Sequence, residues 1–279
     1  MDRDHDLWRI LTHMDNNGNI LLAPDARSLI LDLFVAHGGP HFTSAELIRA
    51  GALFDHSGTA MRTALTRLRR EGRVEALGRG VYGPGRIDDP WRRRIDHWRS
   101  APSRRTAWTG AWLMATAKPS SVSRTAWRAT LRALDVEGFR QIPQGLFVRP
   151  DTLQGGIQGC RLRLMSYGAS GELLTGRFEE LDPASTNVAR SLWDVPGLAA
   201  RRQNLLDLLM ASQVRLPRLS NSDAAREALT IGRAAVRAIV RDPLLPREWE
   251  AGPSLDDLVG AMAPYNALGR EVWMTSLGR

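Results

Sequence analysis

Hydrogen-bonding side chains recur between positions 57 and 70 in the spacing of one helix face. The apolar residues of this stretch follow at i, i+3, i+4 and i+7, as a buried stripe requires: Met61, Ala64, Leu65 and Leu68. The opposite face holds Ser57, Thr59, Arg62, Thr63, Thr66, Arg67, Arg69 and Arg70. Guanidinium groups hydrogen-bond to base edges and phosphates, and small hydroxyl residues permit close approach. The pattern therefore predicts a helix that contacts nucleic acid.

Two further helices are predicted before this one. The first spans Pro24–His37 and is ended by Gly38-Gly39-Pro40. The second spans Ser44–Ala50, where Thr43 or Ser44 is the N-cap and Glu46 is placed for a capping box. The third helix, which holds the arginine face, is expected over Gly58–Glu71 with Ser57 or Asp55 as its cap.

A basic hairpin is predicted directly after the third helix. Its strands are Arg73–Leu77 and Val81–Gly83, and glycines flank Arg79 at the tip. Three helices followed by such a hairpin predict a winged helix-turn-helix over residues 23–88. Arg79 is then expected to meet phosphate or the minor groove of double-stranded DNA, the predicted partner.

The distribution of charge agrees with this interpretation. The chain has 279 residues and a net charge of +8. Residues 57–105 contain 13 arginines and 5 acidic residues, which is also +8, so the remainder is close to neutral. Lys118 is the only lysine, and codon usage accounts for the general abundance of arginine. The location of the excess charge is thus the informative feature.

The rest of the chain divides into four further segments. Residues 1–22 are an N-terminal extension with one amphipathic stretch, and residues 89–105 are a linker. An α+β domain is predicted over residues 106–190. Its elements are a strand, a helix and two further strands, expected over Thr106–Ala117, Ser121–Glu137, Ile142–Val148 and Gly159–Met165. This order is typical of a ferredoxin-like fold. Residues 191–279 predict a helical C-terminal domain with helices over Leu198–Leu209, Ser222–Val240 and Ser254–Leu268. The fold class is accordingly α+β.

Several stretches together resemble the PaaX family of bacterial repressors. In the first 90 residues these are Ala26–Ile30, Ala45–Phe54, Arg62–Gly72 and Gly78–Tyr82. Looser matches follow at Trp108–Trp112, Gly138-Phe139, Gly145–Pro150, Leu192–Asp194 and Arg241–Pro246 with Trp249. The resemblance implies a transcriptional repressor of phenylacetate catabolism, a homodimer, and release from the operator by the effector phenylacetyl-CoA. It also implies a middle domain with the fold of a small CRISPR-associated nuclease.

The effector is the point at which the sequence departs from that family. Ile231–Ile239 lacks the His and the Tyr-Arg pair expected before Asp242-Pro243. An acyl-CoA pocket needs cations for phosphates and apolar walls for the acyl group, and the candidates are Trp193, Arg233, Arg237, Arg241 and Trp249. The alternatives are that the arginines are helix-surface charges and the tryptophans pack between domains. A regulator of the same build with a different ligand, or none, therefore remains the alternative function.

Enzymatic chemistry is disfavoured by the residues at the relevant places, and neither a catalytic residue nor a cofactor is predicted. The strand of the nuclease-like domain ends Ala115-Thr116-Ala117-Lys118, without the carboxylate that a metal would need. His37 and His41 lack further ligands at metal-binding spacing, and Cys160 lacks an adjacent base. A protein-interaction adaptor is disfavoured because its helix would expose larger apolar side chains.

The compartment follows from the same residues. A single cysteine, a charged start and the lack of a long apolar run predict a cytoplasmic protein with no membrane partner.

Overall fold

The computed structural model of the chain describes residues 23–36, 41–86, 89–117, 122–143 and 145–279. The predicted N-terminal extension, His37 with the helix stop after it, and Lys118 lie outside these ranges. The contacts divide the chain into two compact units. The first unit contains the chain up to Asp96 together with Asn204–Ala238 and Leu258–Arg279, and the second contains His97–Gln203 and Ile239–Asp257. No helix of the described residues is long and apolar enough to cross a membrane.

The N-terminal part of the first unit consists of three helices and three short strands. Their order is α1 (Ala26–Ala36), β1 (Phe42–Thr43), α2 (Ser44–Ala52), α3 (Gly58–Arg70), β2 (Val74–Gly78) and β3 (Val81–Pro84). The strands form an antiparallel sheet in the order β1-β3-β2, so β2 is an edge strand. Apolar residues of all three helices meet β1 and β2 in one core, which includes Leu33, Phe34, Phe42, Leu47, Met61, Leu68 and Val74.

The starts of α2 and α3 are fixed by their caps. The Thr43 hydroxyl accepts a hydrogen bond from the Glu46 N–H, and the Glu46 carboxylate accepts one from the Thr43 N–H at 2.7 Å, which confirms the predicted capping box. Ser57 caps α3. Helices α2 and α3 approach closely because Gly51 lacks a side chain: a Cβ there would lie 2.4 Å from Met61 Cγ.

Helices from the C-terminal third complete the first unit. These are the later part of α8 (Val195–Arg215), most of α9 (Asn221–Arg241) and most of α10 (Leu255–Leu277). Ala225, Leu229, Trp273 and Leu277 are buried in the same core as Phe34 and Phe42. The division into consecutive segments expected from the sequence differs from this arrangement, because residues more than 200 positions apart share one core.

The second unit is built around a four-stranded antiparallel sheet. Its elements are β4 (Trp112–Thr116), α5 (Arg124–Val136), β5 (Arg140–Gln141), β6 (Phe147–Pro150), α6 (Gly156–Ser166) and β7 (Leu174–Phe178), and the strand order is β5-β6-β4-β7. Leu113 and Ala115 of β4 pack with α5 and α6, and the alternating residues Trp112 and Met114 pack in a second, tryptophan-rich core. The sheet therefore has an apolar core on each face.

Short helical elements connect these parts of the chain. Helix α4 (Pro90–Asp96) lies in the segment expected to be a linker, and two 3-10 turns follow it at Trp98–Ser100 and Pro102–Arg104. Helix α7 (Pro183–Arg190) precedes α8. The predicted capping box of the last helix is confirmed, since the Ser254 N–H donates to Asp257 and the Asp257 N–H donates back to Ser254.

The sequence-based prediction is wrong for one strand and too long or displaced for two others. Gly159–Met165 is helical and lies within α6. Its alternating apolar residues imitate a strand, but the buried pair Cys160 and Leu164 is spaced by four, whereas Leu162 is 71% exposed. The strand expected over Thr106–Ala117 is limited to β4. The strand expected over Ile142–Val148 begins at Phe147, after a turn in which the Ile142 N–H donates to the Leu146 carbonyl oxygen.

Candidate nucleic-acid interface

Helix α3 presents the predicted residues on its solvent side. Its apolar residues are buried, which turns the opposite face outward. Seven of the candidate residues on that face are exposed: Thr59, Arg62, Thr63, Thr66, Arg67, Arg69 and Arg70. Ser57 is exposed as well, and its hydroxyl caps the helix by accepting from the Ala60 N–H at 3.1 Å. The predicted face is thus present as a single surface, with Ser57 at its N-terminal end.

One of the hydroxyl residues is partly engaged by the helix itself. The Thr66 hydroxyl donates to the Arg62 carbonyl oxygen one turn earlier, at 2.9 Å. Its oxygen lone pairs remain able to accept hydrogen bonds. Thr66 in this conformation can therefore serve as an acceptor towards an amino group, whereas its donor function requires rotation about the side-chain bond.

The hairpin after α3 places Arg79 at an exposed two-residue turn. Strands β2 and β3 pair with a register shift between Ala76 and Gly78, and Gly80 follows Arg79 at a φ of 71°. This left-handed conformation favours glycine. The Gly80 carbonyl oxygen accepts a hydrogen bond from the Ser44 N–H at 2.9 Å. The tip is therefore tied to the first residue of α2, which fixes the position from which Arg79 extends.

The arginines of this region separate into two groups by their partners. At the base, Arg27 forms a bidentate pair with Glu71 at 2.6 and 2.8 Å, and Arg73 pairs with Asp89 at 3.1 Å. On the outer face, no ion pair is formed within the described ranges by Arg62, Arg67, Arg69, Arg70 or Arg79. The outer face therefore carries an uncompensated positive charge, which attracts polyanions.

One feature that organises this surface was missed in the sequence. The Arg69 guanidinium lies over the ring of Tyr82 in β3, at 5.8 Å from the ring centroid. A cation above an aromatic face is held by the ring quadrupole. Tyr82 stands opposite Ala76 in the hairpin, and only the sheet register reveals that its ring reaches an α3 arginine. Tyr82 is therefore a residue that positions Arg69.

Two of the five candidate effector residues contact each other in the second unit. Trp193 and Trp249 lie 6.2 Å apart between ring centroids and belong to a cluster with Trp108 and Trp112. Both are at least nine-tenths buried. Arg190, which the sequence did not single out, lies over Trp249 at 5.0 Å. An aromatic cluster with an adjacent cation is thus formed, in which the tryptophan rings pack mainly against one another.

The three candidate arginines fall in both units. Arg233 and Arg237 belong to the first, where Arg233 pairs with Asp32 of α1 at 2.8 Å. Burial raises the pKa of Asp32, against the opposing effect of the Arg233 and Arg237 charges. Arg241 belongs to the second unit. Arg233 therefore already forms an ion pair with Asp32, and the spacing of residues in the sequence does not indicate this pair.

Among the places considered for catalysis, the structure describes His41, Cys160 and the end of β4. Within the described ranges, no three His, Cys, Asp or Glu residues are grouped as metal ligands. Cys160 is buried, and this burial, together with the Glu137 carboxylate, raises the pKa of its thiol to about 12. A thiol with such a pKa is protonated at neutral pH and is a poor nucleophile. Strand β4 ends at Thr116 with no carboxylate.

Comparisons with known proteins identify one family and one solved structure that are similar to this chain. Residues 25–82 match the model of the family described as PaaX-like protein. The solved structure of the uncharacterized protein Rv0674 from Mycobacterium tuberculosis is similar in fold, with a TM-score of 0.59 and 21% identity over 90% of this chain and 98% of that one. No match is found among the curated proteins. The resemblance to the PaaX family is confirmed by the family model, and the matched segment contains α1 to α3, β2 and the first two residues of β3.

Proposed function

We propose that the chain is a DNA-binding transcription regulator whose recognition element is a winged helix-turn-helix formed by α1 to α3 and the β2-β3 hairpin. The observation that carries the proposal is the outer face of α3, where exposed arginines without acidic partners alternate with threonines. Arg62, with Thr59, Thr63 and Thr66, would contact base edges from the first half of the helix. Arg67, Arg69, Arg70 and Arg79 would contact phosphates. In this proposal β2 and β3 form the wing.

Repression of an aromatic-acid catabolic operon is the function we propose for this regulator. It is supported by the PaaX-like segment, and the mechanism would be steric occlusion by a homodimer on a two-fold operator. The second unit would then be a ferredoxin-like domain, which the β-α-β-β-α-β order and the strand order β5-β6-β4-β7 support. Sedimentation of the full chain, alone and on a DNA half-site, tests the dimer. A monomer in both conditions contradicts it.

DNA recognition is tested by selecting bound sequences from a random pool with the full chain. Arg62→Ala is expected to weaken binding at the selected site by about 1–3 kcal/mol and to relax the preference at one position. Arg92→Ala is the matched control, because Arg92 lies on α4 and is paired with Asp96 at 3.0 Å. If the pool shows no enriched sequence, or if Arg62→Ala selects the same bases as the wild type, the recognition role is wrong.

An acyl-CoA is the effector class that we propose, with Trp193, Arg241 and Trp249 of the second unit as candidate contacts. Phenylacetyl-CoA and free phenylacetate are titrated separately against the protein–DNA complex. Release by the thioester alone supports the family effector, and release by neither compound contradicts it. Substitution of Trp249 by Phe, which retains an aromatic ring, is compared with Trp249→Leu to test the contribution of the tryptophan cluster to effector affinity. Equal effector affinity in both variants would exclude an aromatic contact from Trp249.

A further inference from the structure

An open groove of about 730 Å³ runs between the C-terminal half of α3 and the edge strand β2. Its helix side is formed by Thr66, Arg69 and Arg70. Its other side is formed by Gly72, by the edge-strand residues Val74, Glu75 and Ala76, and by Arg86. The lining residues without charge are Thr66, Gly72, Val74 and Ala76.

The charges around this groove are predominantly positive, and two of its three arginines, Arg69 and Arg86, have a contact that restrains them. Arg69 is positioned over Tyr82, and Arg70 has no acidic partner among the described residues. Arg86 is 89% exposed and its Nε lies 3.1 Å from the Glu75 carboxylate, whose side chain is 33% exposed. Among the described residues, three arginines and one glutamate face the groove, for a net charge of +2.

We infer that this groove holds the phosphodiester backbone of one DNA strand, and that Arg86 is a phosphate-contacting residue regulated by Glu75. The inference rests on the proposed DNA-binding function and adds to it a residue beyond α3 and the hairpin tip. In the free protein Arg86 is paired with Glu75. On DNA, Arg86 exchanges this carboxylate for a phosphate oxygen.

The exchange is energetically accessible because the ion pair is exposed. An exposed pair of this kind contributes little to stability, because both charges are already solvated. A charge-assisted hydrogen bond from a guanidinium to a phosphate is stronger. The carboxylate left behind repels neighbouring phosphates. Glu75 therefore lowers the affinity of the groove for any DNA backbone, whatever its sequence, while base contacts from the first half of α3 are unaffected.

A polyanion fits this groove better than a compact ligand does. The site is open to solvent, and its lining includes the exposed arginines Arg70 and Arg86 together with the uncharged residues Gly72, Val74 and Ala76. A small molecule would gain little apolar burial there. A strand backbone, in contrast, offers successive phosphates to both sides and continues onto the arginines of α3.

The test measures binding of the full chain to a mixed-sequence DNA duplex of about two helical turns over a range of salt concentrations. Arg86→Ala is expected to reduce the slope of log affinity against log salt by about one unit and to weaken binding severalfold at low salt. Arg92→Ala is the control, since this arginine also has an acidic partner but lies outside the groove. Equal slopes for the two variants would overturn the assignment of Arg86.

Glu75 is tested with the isosteric Glu75→Gln, and Asp96→Asn is its control outside the groove. Tighter binding by Glu75→Gln, with no change in Asp96→Asn, supports the exchange. The double variant Glu75→Gln with Arg86→Ala completes a double-mutant cycle. The effects of the two substitutions on DNA affinity should not be additive, and additive effects would contradict the exchange. Unchanged or weaker binding by Glu75→Gln overturns the role of the glutamate. If the wild type binds no duplex, the proposed DNA-binding function itself is contradicted. If the wild type binds DNA with the same salt slope as Arg86→Ala, only the role of Arg86 is contradicted. Thermal midpoints of all variants control for folding.

Discussion

Arginine has opposite environments on the outer face of α3 and inside the second unit. On α3 the guanidinium groups are exposed and have no acidic partner among the described residues. In the second unit Arg149 is buried and donates to the carbonyl oxygens of Pro150 and Pro243 and to the Thr152 hydroxyl, at 3.0 to 3.2 Å. Arg202 is buried against Asp242 at 2.7 Å and Glu250 at 3.1 Å. Partners and burial, more than residue type, distinguish a binding cation from a structural one.

The largest expected effect comes from breaking the buried pair of the second unit. Asp242→Ala leaves the Arg202 guanidinium with a single acidic partner in a buried site and should lower the free energy of unfolding by about 3–5 kcal/mol. Chemical denaturation of the full chain measures the loss. Asp256→Ala is the control, because Asp256 pairs with Arg247 in a pair that is 48% and 65% exposed. That variant should lose less than about 1 kcal/mol. Equal losses of stability in the two variants would mean that burial does not distinguish the Arg202–Asp242 pair from the Arg247–Asp256 pair.

Arg279 lies in the first unit, as the exposed arginines of α3 do, but it has an acidic partner, Glu46. Its guanidinium donates to both oxygens of Glu46 at 2.6 and 2.9 Å and to the His41 carbonyl oxygen at 3.0 Å. Burial alone would raise the pKa of Glu46, but hydrogen bonds from Arg279 and Thr43 lower it to about 2. Arg279→Ala should reduce stability by about 2 kcal/mol at neutral pH.

The pH dependence of that loss has a definite sign. A carboxylate whose pKa is lowered on folding stabilises the protein above its unfolded pKa and loses this contribution as pH falls. The difference in unfolding free energy between wild type and Arg279→Ala should therefore be constant near neutrality and shrink between pH 4.5 and about 2. Glu46→Gln should show the same convergence. A difference independent of pH over this range would mean that Arg279 acts through packing on Phe42 instead.

A smaller effect is expected at the hairpin tip. Arg79→Ala removes one cation that has no acidic partner in the described structure, so protein stability should stay within about 0.5 kcal/mol of the wild type. DNA affinity should fall alike on all sequences, and the salt slope should become shallower by about one unit. Arg27→Ala provides the contrast, because removing it breaks the bidentate pair with Glu71. Arg27→Ala should lower stability and leave the salt slope unchanged.

Local signals made the N-terminal elements predictable. The Thr43–Glu46 capping box, the Ser57 cap and the spacing of Met61 and Leu65 each specify structure within a few residues, and the observed helices begin where those signals place them. The exposed face of α3 follows from the same periodicity. The lack of acidic partners on this face could not be predicted from periodicity, because ion-pair partners can lie far apart in the sequence. Arg27 and Glu71, for example, are paired although they are 44 residues apart.

Long-range packing set the limit of the sequence analysis. The pairing of Arg279 with Glu46 joins residues 233 positions apart, and no periodicity indicates that α10 completes the N-terminal core. In α6 the alternation of arginine with apolar residues favoured a strand, although burial of Cys160 and Leu164 determines a helix. The two-residue strand β5 is too short for any periodic signal.

The smallest expected effect concerns the ring that positions Arg69. Tyr82→Leu retains an apolar side chain at this position of the sheet but removes the aromatic face beneath the Arg69 guanidinium. An exposed cation–π contact contributes about 0.5–1 kcal/mol, so DNA affinity should fall by about two- to fivefold with an unchanged salt slope. The slope is unchanged because the positive charge remains and only its placement is lost. Tyr82→Phe keeps the ring and should bind as the wild type does. Weak binding by Tyr82→Phe would instead assign the effect to the phenolic hydroxyl, and a shallower slope in Tyr82→Leu would mean that Arg69 no longer reaches the phosphate.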